Sequence, residues 1–142
     1  MKSLAAHPLA PLSLAALMLA LPLSASAQQV PDAMTAQEFD AYSQGKTFYY
    51  GAQGEPYGAE EYLPDRRVRW SFLDGNCQEG HWYEEAGHIC FVYEDMPDPQ
   101  CWSFVEGSSG LTAYFQGGSQ TVLYEMQTSP EPMICHGPEV GV

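Results

Sequence analysis

The sequence predicts a mainly β chain: an up-and-down antiparallel meander of seven or eight strands, barrel-like or strongly curved, with one short N-terminal helix and disulfide staples. Three observations predict it. Short runs rich in aromatic and β-branched residues alternate with the period of a strand, the separators between them are only a few residues long, and four cysteines are spread over the last half of the chain. Separators this brief join antiparallel neighbours and leave no room for a parallel crossover. A meander of that length escapes open edges by curling on itself.

The chain begins with an export signal. Lys2 precedes an apolar stretch from Leu4 to Leu23, followed by Ser24, Ala25, Ser26 and Ala27, the order of n-region, h-region and small-residue cleavage site. A retained anchor is the rival reading, but Pro8, Pro11 and Pro22 interrupt the run and no basic stop-transfer cluster comes after it. Cleavage after Ala27 leaves about 115 residues, enough for one domain with little surplus core. A periplasmic or secreted location is therefore expected, and an oxidising compartment makes paired cysteines the default.

Residues 28–34 form a polar lead containing Pro31, expected to be flexible. Thr35 and Glu38 make a capping box, Phe39 and Tyr42 share a face and Gly45 supplies a stop, so one short amphipathic helix is expected over 35–44. Ten residues do not hold a helix alone, so its apolar face must pack on the strands downstream. Strands are expected at 47–50, 57–63, 67–73, 80–84, 88–94, 100–105, 111–115 and 121–126, with Met96-Pro97-Asp98-Pro99 among the turns. The domain spans 35–128, and 129–142 reads as an irregular Pro-rich tail tied back by a disulfide.

The motifs E-F-x-x-Y-x-x-G-K-T at 38–47, Y-L-P-D-R-R-V at 62–68, G-H-W-Y at 80–83, I-C-F-V-Y at 89–93 and Q-C-W-S-F at 100–104 are collinear. In that order they resemble a family of small exported proteobacterial proteins classed as a domain of unknown function. The resemblance covers about residues 34–116 and implies export and a β-meander. It implies no activity. The chain departs from the pattern at Pro64-Asp65-Arg66, where Asp-Gly is usual, and by adding Cys77 and Cys135.

Four cysteines allow three pairings. Cys90 and Cys101 lie on the two arms of one hairpin and are cross-strand candidates, which leaves Cys77 to hold Cys135 and the tail. Metal binding by these cysteines with His81, His88 and His136 lacks C-x-x-C, H-x-x-H or H-E-x-x-H spacing. No cofactor is expected.

The 18 acidic against 5 basic residues give a net charge of −13, one unit more negative once Lys2 is removed, so a phosphate backbone would be repelled. The carboxylates read as a solvated acidic surface, with Glu84 and Glu85 and Glu94 and Asp95 as its clusters; sequence neighbours on a strand, such as Glu60 and Glu61, point to opposite faces. Arg66, Arg67 and Arg69 stand beside Trp70 and read as charges balancing Glu60 and Glu61 across a hairpin, with an anion clamp as the alternative. Trp70, Trp82, Trp102 and Phe104 read as core. No nucleophile motif, EF-hand spacing or phosphate loop is present, so the expected class is a non-enzymatic binding module. Its acidic surface would meet a basic protein, such as a host hydrolase, or a cationic ligand. The alternative is a small-molecule carrier using an aromatic barrel interior, and an enzyme of unknown type is the third reading.

Overall fold

A computed structural model describes residues 30–136; the expected export signal and the last residues of the tail lie outside that range. Eight strands pair in sequence order and the last returns to the first, closing an antiparallel barrel. The strands are β1 (Thr47–Ala52), β2 (Glu55–Tyr62), β3 (Arg67–Ser71), β4 (Gln78–Glu85), β5 (His88–Tyr93), β6 (Met96–Gly107), β7 (Gly110–Phe115) and β8 (Val122–Ser129). The helix α1 (Ala36–Ser43) precedes them, capped by Thr35 and Glu38 in the expected box. Among the described residues, no helix is long and apolar enough to cross a membrane.

Alternation sends one set of side chains inward. Phe48, Tyr50, Tyr62, Val68, Trp70, Trp82, Ile89, Phe91, Tyr93, Phe104, Leu111 and Leu123 form the buried cluster. Because consecutive hairpins alternate ends, the connections before β1, between β2 and β3, between β4 and β5, and between β6 and β7 gather at one end of the barrel. The other four connections gather at the opposite end. The helix closes the first end. Phe39, fully buried, meets Tyr62, Trp82, Phe91 and Phe104, from four different strands, with ring centroids 5.5, 5.3, 6.3 and 4.4 Å away. That set of neighbours puts Phe39 on the barrel axis as a stopper. Just before the helix, Met34 is buried and its N–H donates to the Phe104 carbonyl at 2.7 Å.

The turn between β5 and β6 differs from the expectation. It falls at Glu94-Asp95, and Met96 already pairs with Tyr93. A turn there alone would set Cys90 against Pro99. Instead β6 carries two extra residues between the Tyr93–Met96 and Phe91–Gln100 pairs, and this bulge brings Cys101 opposite Cys90. Pro97 and Pro99 have no N–H to give to a ladder, which is why that stretch leaves the pairing. The Cys90–Cys101 disulfide results from this register.

The second disulfide, Cys77–Cys135, ties down the tail. After β8 the chain turns back along the outside of the barrel. The Glu131 carbonyl accepts from Thr47 Oγ1 at 2.9 Å, the Met133 N–H donates to Glu61 Oε2 at 3.1 Å, and the His136 N–H donates to the Gly75 carbonyl at 2.7 Å. The tail is therefore a strap across β1, β2 and β3, reaching from the helix end to the other end. All four cysteines are paired, which fits an oxidising compartment.

Candidate functional site

Among the described residues, the end away from the helix has no stopper. A cavity of about 170 Å³ lies there inside the barrel, walled by aromatic residues that include Tyr50, Tyr62, Trp70, Phe91, Tyr93 and Trp102, with Ala113 and Leu123 on the side of β7 and β8. Tyr57 and Phe72 stand at its mouth, about four-tenths and half exposed, in edge or tilted contact with Trp70. Two glycines make room for two of these rings. A Cβ at Gly58 would overlap the Trp70 indole, and one at Gly80 would overlap the Tyr93 ring. Each aromatic lies over an inward glycine of the preceding strand, and at Gly80 a Cβ would also meet the Val92 carbonyl oxygen, so a larger side chain at either position would displace its neighbours.

The polar groups of the cavity are few. Tyr50 and Tyr62 share a hydroxyl hydrogen bond of 2.9 Å, and the Tyr93 hydroxyl donates to Glu60 Oε2 at 3.0 Å. Glu60 is buried inside the barrel, and neither its Oε1 nor the Trp70 Nε1 has a hydrogen-bond partner. Burial pushes the Glu60 carboxyl well above its ordinary value and so favours the neutral acid, against the smaller opposing effect of the Tyr93 hydrogen bond. Burial likewise raises the three tyrosine hydroxyls, keeping them protonated.

Glu60 corrects the expected charge balance. Alternation puts it on the inner face opposite Glu61, as two neighbours on a strand require, but it is not a solvated acid and no arginine balances it. Arg69 pairs instead with Glu61 at 3.5 Å and Glu79 at 2.6 Å on the outer face. Arg66 stacks 4.4 Å over the Trp82 ring and helps cover the helix end, while Arg67 is exposed beside it. The three arginines therefore do not converge on one anion. The named acidic clusters are also separated: Glu84 and Glu85 flank the β4–β5 turn at the helix end, whereas Glu94 and Asp95 form the β5–β6 turn at the open end. All four are exposed.

Of the four aromatics expected to be core, Trp70, Trp82 and Phe104 belong to the buried cluster and Trp102 packs against it; Trp70, Trp102 and Phe104 also line the cavity. Sequence alternation marks them as inward and carries no sign of whether the space between them is filled.

A second cavity of about 420 Å³ lies outside the barrel, between residues 30–36 and the β4–β5 hairpin. Its buried polar pair, His88 Nδ1 and Ser103 Oγ, is satisfied at 3.0 Å. Nearby, Glu85 approaches the Cys90 and Cys101 sulfurs within 4.8 Å, but these sulfurs are joined to one another and offer no thiolate to an ion.

Comparison with known protein families, curated proteins and solved structures finds no match to this chain.

Proposed function

We propose that this chain is an exported small-molecule binding barrel, a carrier or scavenger that holds a compact ligand in the open half of its interior. The observation that carries the reading is the buried Glu60 carboxyl, which lines a cavity of about 170 Å³ and leaves one oxygen without a partner. Unpaired buried polar atoms are costly, so their presence beside open space is a reason to expect a partner there. Purely apolar cavities near 150 Å³ take a ligand the size of benzene, which sets the scale of the occupant at about half a dozen heavy atoms. The barrel wall is held by two disulfides and by ladder pairing on every strand, so the site is formed before the ligand arrives.

The acidic-surface reading, in which the protein engages a basic protein such as a host hydrolase, has less support. Its acid clusters stand at opposite ends of the barrel and do not make one face. The role proposed is binding without catalysis, since the cavity pairs no nucleophile with a base.

Trp fluorescence tests the proposal directly, because Trp70 and Trp102 both face the cavity. Small neutral, cationic and anionic organic solutes should be titrated into the protein and into Ala113→Leu, whose longer side chain fills the space. Saturable changes for at least one solute, lost in Ala113→Leu, support the reading. Identical responses of the two proteins to every solute would overturn it.

A further inference from the structure

The cavity's ligand has a charge written into the surroundings of the mouth. Every basic residue among those described lies elsewhere. Lys46 and Arg66 belong to connections at the helix end, Arg67 begins β3 at that same end, and Arg69 is engaged by two carboxylates on the outer wall. The open end carries Glu55 at the start of β2, Asp74 in the β3–β4 connection, Glu94 and Asp95 in the β5–β6 turn and Asp98 at the start of β6. All five are exposed. Tyr57 at the mouth, Glu79 paired with Arg69 near the start of β4, and His136, held beside Gly75 by the strap, are further titratable groups there. A field of that sign draws cations to the mouth and turns anions away.

Inside, the sign is the same. The only ionisable carboxyl of the cavity is Glu60, and no cationic side chain lines the wall. Around it stand the rings of Tyr50, Tyr62, Trp70, Phe91 and Tyr93. Aromatic walls around one carboxyl suit a positively charged group that cannot be met by water, because ring faces are negative and a carboxylate completes the neutralisation.

We infer that the barrel binds a small organic cation of the amine or quaternary ammonium class, seated against the Glu60 carboxylate among Tyr50, Tyr62, Tyr93 and Trp70. The inference rests on the binding-barrel reading and narrows it to one ligand chemistry. Binding of a quaternary cation has a proton balance. Burial favours the neutral acid of Glu60 in the empty protein and the cation favours the carboxylate, so a proton that the carboxyl holds passes to the buffer as the ligand enters. The groups facing Glu60 are Tyr93 from β5, Tyr50 from β1 and Tyr62 on its own strand, all neutral in the same range, so this proton belongs to Glu60.

Calorimetry with tetramethylammonium chloride and with tert-butanol, an uncharged molecule of similar size, tests the inference on the intact mature protein. Two buffers of different ionisation enthalpy count the protons released. Saturable binding of tetramethylammonium with proton release is expected, together with tightening as pH rises, the direction that the raised Glu60 carboxyl gives. Glu60→Gln should weaken tetramethylammonium about tenfold or more, the scale for removing one partner of a desolvated charge pair, and leave tert-butanol unchanged. Circular dichroism confirms that the isosteric variant folds, and the comparison of the two probes on the unmodified protein needs no variant at all. If tert-butanol binds as well as the cation, or a folded Glu60→Gln binds the cation as tightly as the unmodified protein does, the cation inference fails while the binding barrel stands. If neither probe binds and Ala113→Leu responds to small solutes as the unmodified protein does, both fail.

Discussion

The two ends of the barrel are made by the same strands and finished in opposite ways. At the helix end, Phe39 enters the lumen and touches rings from β2, β4, β5 and β6, Arg66 lies over Trp82, and Met34 fastens the lead to β6. At the open end, equally large side chains surround a space they do not fill, with a carboxyl inside it and Tyr57 and Phe72 exposed at its rim. The inward pattern of a barrel strand is the same whether its neighbours across the lumen meet or stand apart. What separates a core from a site here is the presence of a stopper, and a fully buried carboxyl marks the side that lacks one.

The largest effect that would break this comparison is removal of the stopper. Phe39→Ala should cost about 3 to 5 kcal/mol, the range for deleting a fully buried aromatic, because four rings lose their common neighbour. Urea unfolding measures it. A loss under about 1 kcal/mol would mean that the helix rests on the end without plugging it.

Next comes the strap. Replacing both Cys77 and Cys135 by Ser reopens a loop of sequence separation 58, worth roughly 4 kcal/mol in the chain-entropy account, against roughly 3 for the 11-residue separation of Cys90 and Cys101. The strap variant should also lose hydrogen-exchange protection at Met133 and His136, whose N–H groups it holds against the wall. Protection retained there after the bond is removed would show that Glu61 and Gly75 hold the tail unaided.

Much of this fold is legible in the sequence, and the residues say why. The helix box, eight short runs and brief separators are local signals, and both disulfides are implied once the meander is accepted. The β5–β6 turn is the exception, because Pro97 and Pro99 read as turn formers, whereas here they populate a bulge beside a two-residue turn at Glu94-Asp95. The site is less legible. Period-2 alternation separates Glu60 from Glu61 but does not choose which goes inside, and among so many carboxylates nothing local marks the buried one. Gly58 and Gly80 carry the usable signal. An inward glycine at mid-strand announces that a neighbour approaches closely, and the neighbours are Trp70 and Tyr93.

Glu60 sharpens the comparison through pH. Its folded value is raised by burial, so the folded state holds a proton that the unfolded chain gives up at an ordinary carboxyl value. The sign is fixed by that direction. Stability from the neutral Glu60 is fully present below the unfolded value and falls as pH rises toward the folded one, by about 1.4 kcal/mol per pH unit in between. Glu60→Gln carries no such proton, so the variant should match the native protein near about pH 4 and exceed it increasingly as pH rises toward the folded value. Equal stability of the two across that span, tracked by urea midpoints, would mean that Glu60 ionises freely and that water reaches it.

The smallest expected effect lies at the rim. Tyr57→Ala and Phe72→Ala remove side chains that are about four-tenths and half exposed, so each should change stability by about 1 kcal/mol or less, against the several expected for Phe39→Ala. Their consequence should fall on the ligand. Tyr57 and Phe72 contact Trp70 with centroids 6.0 and 5.3 Å apart and narrow the mouth, so deleting either widens the approach and frees the indole. Binding of a small solute to the cavity should then show faster association and faster release, with a modest change in affinity, as stopped-flow Trp fluorescence would record. Unchanged rates would place the ligand's path elsewhere in the barrel. A stability loss comparable to Phe39→Ala would instead make the open end a second plug and erase the difference between the two ends.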